Sequence, residues 1–371
     1  MSFSHSCPRG VQDQIDQLVA PRRGLGGLPL DRSMLGIALR LGTEGGKRFR
    51  PWLFTATHEQ VRATHGRGTA AGHHTLDRVA AALELLHTAF VAHDDVIDHD
   101  DTRRGRVSVP GWFKESTTSA SETYPRAGGI LVGDLALAAA VRGIATCGAD
   151  VRTTETLLDL LDVALHDSAI GEFADVRFSL GTASATLDDA LSVAELKTAA
   201  YSFVLPMQAA AVLAGAPTSV VEKVGDVGRS LGIAFQMRDD LLGAFAPADV
   251  VGKDPDGDLR EGKRTVLVVH ASTTPQWRRI EAHLGDPDLT PAQADEVRRA
   301  LVEAGSVAHV ERIIARHVRI ARRHAEELGL TADVVDPLID SWGLDRLGAL
   351  TAPSRAVTDV SGPAPVTADV A

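Results

Sequence analysis

The residues best equipped for chemistry are five aspartates crowded into eight positions: Asp94, Asp95, Asp98, Asp100 and Asp101. Carboxylates at i and i+4 of a helix stand one turn apart, about 6 Å along the axis, so Asp94 and Asp98 can share oxygen-seeking divalent cations. Without a cation the arrangement is unfavourable, because two like charges about 6 Å apart repel by roughly 2.8 kcal/mol at an effective dielectric of about 20. Taken alone, such a cluster reads as a solvated helix end. A second acidic pair, Asp239-Asp240, decides against that reading.

Cations stand near both clusters. Gly45-Gly46-Lys47-Arg48-Phe49-Arg50-Pro51 places three of them in four residues at an expected helix start, behind glycines that let backbone approach a ligand closely. That combination suits a phosphate, although basic turns are also ordinary solvated surface. Arg103-Arg104-Gly105-Arg106 follows the first aspartates and either neutralises them or holds the far side of a substrate gripped through metal. Lys197 lies in an apolar helical setting, where a lysine often reaches back to water. A polar loop punctuated by glycine, from Gly252 to Thr265, carries Lys253 and Lys263. Glu172 and Asp175, in Gly171-Glu172-Phe173-Ala174-Asp175, read either as groups that support metal ligands from behind or as ordinary helix surface, with surface favoured.

The elements that must position these groups are helices. Val79, Leu83, Leu86 and Phe90 recur at steps of three or four and run directly into Asp94. Similar periodicity predicts helices over about 128–148, 153–178, around 195–201, over 220–244 and in several pieces from 276 to 350, with a polar loop over 116–127. No alternation of period two recurs and no repeat is evident, so the expected fold is all-α, a single helical domain over residues 31–350. Residues 1–30 read as an irregular segment with at most one short helix, and 351–371, rich in Pro, Ser, Thr, Val and Ala, as a disordered tail.

The formal net charge of −11 argues against nucleic-acid and membrane-surface partners, both of which attract basic faces. Gly129–Ala145 is the most apolar run, but Asp134 and Arg142 interrupt it, and it is expected to be a buried helix without any integral membrane segment in the chain. Cys7 and Cys147 lack metal-ligand spacing, and no secretory pattern opens the chain, so a reducing cytoplasm is expected.

A basic glycine turn, an acidic helix end, an arginine pair, a helical Lys-Thr, a second acidic end and a glycine-lysine loop stand in that order over residues 40–270. This order resembles the trans-isoprenyl diphosphate synthase family, the polyprenyl synthetases. The resemblance implies an all-α homodimer that condenses isopentenyl diphosphate with an allylic diphosphate, using three magnesium ions per active site. It places Asp94, Asp95 and Asp98 on magnesium at the allylic diphosphate, with Arg103 beside them. Lys47, Arg50, His87 and Arg104 match the isopentenyl diphosphate site. Lys197, Thr198 and Gln236 match residues flanking the reacting carbons, Asp239 and Asp240 the second metal position, and Lys253 and Lys263 further diphosphate ligands.

Two positions depart from the family pattern. The second motif is commonly DDxxD, whereas Gly243 stands at its last position, one carboxylate short. After the arginines, Val107-Ser108-Val109-Pro110 replaces a common Pro-Thr-Val-His run. A class I terpene cyclase would share the fold and first motif but leave Lys47, Arg50 and Lys263 without work, and a non-catalytic synthase subunit should have lost ligands that are present here. The fifth and fourth residues before the first motif are frequent barriers to chain growth in the family. Here they are Ala89 and Phe90, one small and one large, so a twenty-carbon product, geranylgeranyl diphosphate, is expected, with farnesyl or a longer diphosphate as the alternative.

Overall fold

The computed structural model describes residues 9–21, 27–68, 71–103, 105–181, 183–246 and 256–344. The predicted 351–371 tail, together with Arg104 and Lys253, lies outside the described residues. Helices dominate: α1 (Arg9–Val19), α2 (Pro29–Thr43), α3 (Phe49–His65), α4 (His73–Ile97), α5 (Val109–Glu115), α6 (Thr123–Ala145), α7 (Val151–Ser179), α8 (Leu187–Val193), α9 (Leu205–Leu213) and α10 (Thr218–Phe245). Shorter helices follow, and a 23-residue helix, Ser306–Leu328, packs along α10. The expected all-α class is observed.

Two hydrophobic clusters organise the bundle. One joins α1, α4, α6 and α9 around Ile15, Leu83, Leu85, Leu86 and Ile144. The other joins α10 to the C-terminal helices around Val227, Leu231, Ile314 and Leu338. Helix α3 bridges them, since neighbouring Leu53 and Phe54 enter opposite clusters and both are fully buried. Thr123–Ala145 and Leu187–Leu213 are long and apolar enough to cross a membrane, yet about 50% and 61% of their most apolar windows are buried within the bundle. They are core helices, which an apolar stripe on nearly every side explains.

Several local features exceed what periodicity predicts. Ala194–Val204 is π-helical and joins α8 to α9 without a break. Pro206, just past its end, has no N–H to continue the regular ladder. Helix α6 begins at Thr123, inside the stretch expected to be loop; Pro125 fits there because the first turn needs no backbone donor. A two-residue antiparallel hairpin pairs Thr102–Arg103 with Arg106–Val107, and Gly105 turns it at a φ of 71°. At the departure after it, Ser108 caps α5 by accepting from the Gly111 amide at 3.0 Å and donates to the Asp100 carbonyl at 2.6 Å.

Candidate active site

Asp94 and Asp98 end α4, and the π-helical segment brings Lys197 against them. Its Nζ lies 3.4 Å from Asp94 and 2.9 Å from both Glu172 and Asp175. Gly171 makes this approach possible: a Cβ there would stand 2.3 Å from the backbone nitrogen of Lys197, so only glycine lets α7 lie this close. Glu172 and Asp175, for which the sequence favoured surface over a supporting role, therefore join the charged cluster through Lys197. The signal was the glycine immediately before them, whose packing partner no local pattern reveals.

One oxygen from each of Asp94, Asp98 and Glu172 lies within 4.8 Å of the others. Three hard carboxylate donors at that spacing fit a magnesium ion that keeps water in its remaining positions. Asp95 points elsewhere: it is 2% exposed and bonded to Nε of Arg103. Arg103 in turn holds Asp94 at 2.7 Å and Asp100 at 3.2 Å, a fork fixed by the hairpin. Desolvation works against charge on Asp94, but Lys197, Arg103 and Lys263 outweigh it and hold its carboxyl down to about 2.

Lys263 reaches the same end from the other side. Its ammonium contacts Asp98 at 2.8 Å, Glu261 at 2.9 Å and Asp258 at 3.6 Å. These carboxylates raise its affinity for the proton despite burial, and desolvation pushes Glu261 up to about 7.

The second acidic end lies on α10. Thr198 Oγ1 donates to Gln236 Oε1 at 2.6 Å, and Gln236 Nε2 donates to Asp240 at 2.7 Å. Desolvation, followed by the charges of Asp258, Asp239 and Asp175, pushes the Asp240 carboxyl up to about 8 against the Gln236 bond. Asp239 is exposed. Among the described residues, the metal-competent trio does not include Asp95, Asp239 or Asp240.

A third group gathers around Tyr201. Arg50 donates to Tyr201 Oη at 3.3 Å and to Ser202 Oγ at 2.7 Å, with its guanidinium 5.0 Å over the tyrosine ring. His87 stacks on the same ring and meets its hydroxyl at 3.4 Å. Phe90 packs edge-on against it, with centroids 4.7 Å apart, whereas Ala89 is fully buried in the α4 core. Tyr201 thus unites Arg50, His87 and Phe90. Lys47 is exposed at the turn before α3. Arg48, beside it, serves the fold by bonding Glu84 at 3.0 Å and the Thr43 carbonyl at 2.6 Å.

A cluster of carboxylates able to hold a divalent cation, met by lysines and an arginine within a helical bundle, is a site suited to metal-assisted chemistry on phosphorylated substrates. The chain belongs to the polyprenyl synthetase family, whose profile matches residues 33–303. It is a prenyltransferase of the trans-isoprenyl diphosphate synthase kind. It is 32% identical to a geranylfarnesyl diphosphate synthase of Aeropyrum pernix, over 77% of this chain and 85% of the relative. A geranylgeranyl diphosphate synthase of Methanosarcina mazei is 28% identical over 76% and 80%. Among solved structures, a geranylgeranyl pyrophosphate synthase of Corynebacterium glutamicum, complexed with isoprenyl diphosphate and magnesium, superposes with a TM-score of 0.78 at 25% identity, covering 94% of this chain and 98% of that one.

Proposed function

We propose that this enzyme condenses isopentenyl diphosphate with allylic diphosphates, head to tail and in trans geometry, and that its main product is geranylgeranyl diphosphate. The observation that carries the reading is the convergence of Lys197, Lys263 and Arg103 on Asp94, Asp98 and Glu172. Breaking an allylic carbon–oxygen bond leaves a diphosphate anion and a delocalised carbocation. Magnesium, when bound, neutralises the developing negative charge. Asp94, Asp98 and Glu172 would hold it, together with Asp239 and Asp240 at the end of α10, three ions in all.

Lys197, Lys263 and Arg103 supply further positive charge to the leaving group, with Lys253 as an additional ligand. Arg50, Lys47, His87 and Arg104 hold the second diphosphate. The carbocation needs weak dipoles and no nucleophile. The Thr198 hydroxyl uses its proton on Gln236, which leaves its oxygen lone pairs to face positive charge. The released diphosphate accepts the proton lost after condensation.

Phe90 is the barrier to growth because Tyr201 fixes its ring. Ala89, being in the core, sets length only through the room it leaves. The test is to incubate the purified protein with magnesium, isopentenyl diphosphate and each allylic diphosphate in turn, then size the dephosphorylated products. A twenty-carbon main product supports the assignment. A twenty-five-carbon product, as the name of the Aeropyrum relative would suggest, moves the floor beyond Phe90. Phe90→Ala should lengthen the product and Ala89→Phe shorten it.

The homodimer is supported by apolar side chains on the outer faces of α6 and α7, which pack together: Ile130, Leu131 and Leu135, with Val163, Ile170 and Phe173. Light scattering on the eluting protein, giving twice the chain mass, would agree with it; the proposed location of the enzyme is the cytoplasm.

A further inference from the structure

The helix Ser306–Leu328 carries a strongly basic face on an acidic protein. Arg312, Arg316, Arg319 and Arg323 recur at steps of four, three and four, which places them within about 60° of one another and over about 16 Å of helix. All four are exposed, opposite the buried Val310, Ile314, Ala321 and Leu328. Other exposed arginines pair with carboxylates, as Arg229 does with Glu195 at 2.9 Å and Arg299 with Glu296 at 2.8 Å. Among the described residues, none of the four has an ion-pair or hydrogen-bond partner. Like charges at i and i+4 weaken a helix, so folding does not account for the stripe. We propose that it docks the enzyme reversibly on an anionic phospholipid bilayer.

The net charge of −11 describes the whole chain, whereas salt screens charges beyond about 8 Å, so a docked surface senses chiefly the groups that face it. Glu326 and Glu327 end the stripe, and Glu327 is bound to Lys223 at 3.1 Å. One arginine near an anionic bilayer strengthens binding about fivefold (about 1 kcal/mol), so four give half-binding at about 1 mM accessible lipid. Docking of that strength is reversible. The choice of lipid over another polyanion rests on the function proposed above. Each CH2 of a product chain favours the bilayer over water about fourfold, and a twenty-carbon diphosphate made at the bilayer is released where it dissolves.

The test is sedimentation of the whole protein with vesicles. It needs neither magnesium nor substrate, so its outcome is separate from that of product sizing, which decides the prenyl-transfer reading. Vesicles of phosphatidylglycerol and phosphatidylcholine in equal parts should carry the protein down at about 50 mM salt and release it at about 500 mM, and phosphatidylcholine alone should not bind it. Arg316→Gln should weaken binding about fivefold, and Arg312→Gln, Arg316→Gln, Arg319→Gln and Arg323→Gln combined at least about a hundredfold. The combined variant should melt no lower than the unaltered protein, since repulsion along the helix is relieved. Arg152→Gln, Arg229→Gln, Arg279→Gln and Arg299→Gln combined remove the same charge from other places and should leave binding intact. No binding of the unaltered protein to the anionic vesicles, undiminished binding by the stripe variants, or equal losses in both combined variants overturns the inference. So does binding of soluble polyglutamate or RNA through the stripe when anionic vesicles do not bind.

Discussion

The two acidic helix ends carry the same residue type and solve opposite electrostatic problems. At the end of α4, Asp94 and Asp98 are held by Arg103, Lys197 and Lys263, and Asp94 stays ionised down to about pH 2. At the end of α10, Asp240 has an amide as its hydrogen-bond donor, and desolvation lifts its carboxyl to about 8. The first end is a ready anion that already gathers cations. The second binds its proton strongly and gains most from a divalent charge. The difference comes from where the lysines lie: two helical or loop segments bring ammonium groups to the first end, and a glutamine stands where the second would need one.

The largest effect should come from the first end. Asp94→Ala or Asp98→Ala should cut turnover about 10²- to 10³-fold, the scale of losing a main stabiliser of transition-state charge. Asp239→Ala should cost less at saturating magnesium and approach the same loss when magnesium is scarce. Steady-state rates across a magnesium series would show it, and near-normal turnover of Asp239→Ala at low magnesium would erase the second end's part in catalysis.

Lys197→Met breaks the comparison from the other direction. Asp94, Glu172 and Asp175 would lose their shared cation, and removing one partner of a largely buried charge cluster costs about 3 kcal/mol. Urea unfolding should register that loss, and magnesium should restore more stability to Lys197→Met than to the unaltered protein. Equal gains in both would mean that the lysine and the metal do not share carboxylates.

Arg50 sharpens the contrast because it belongs to neither end and donates to hydroxyls. Arg50→Ala should raise KM for isopentenyl diphosphate about ten- to hundredfold, equal to about 1.5 to 3 kcal/mol for a charge-assisted contact. The allylic KM and the magnesium dependence should stay put, and a change confined to the allylic substrate would reassign the arginine.

A further effect concerns pH. Because the folded protein keeps a proton on Asp240 up to about pH 8 and the unfolded chain releases it near 4, folding binds a proton in that window. Stability of the metal-free protein should therefore fall as pH rises from about 4 to 8. Asp240→Asn removes that contribution, so its melting temperature should decline less over the same range, and parallel curves for the two proteins would contradict the assignment.

The sequence by itself determined the all-α class, the helix carrying Asp94 and Asp98, and the order of motifs. Each of these rests on spacing within one helix or on residues adjacent in the chain, and local spacing survives folding unchanged. Only the tertiary structure decided which carboxylates meet which cations. Glu172 and Asp175 looked like surface because nothing within α7 announces the backbone that Gly171 admits. Asp95 looked equivalent to its neighbours, yet one residue's rotation, about 100° on the helix, buries it against Arg103 and leaves it out of the trio that Asp94, Asp98 and Glu172 form. In each case the deciding contact joins separate elements, and its energy depends on burial and on charges that no local pattern contains.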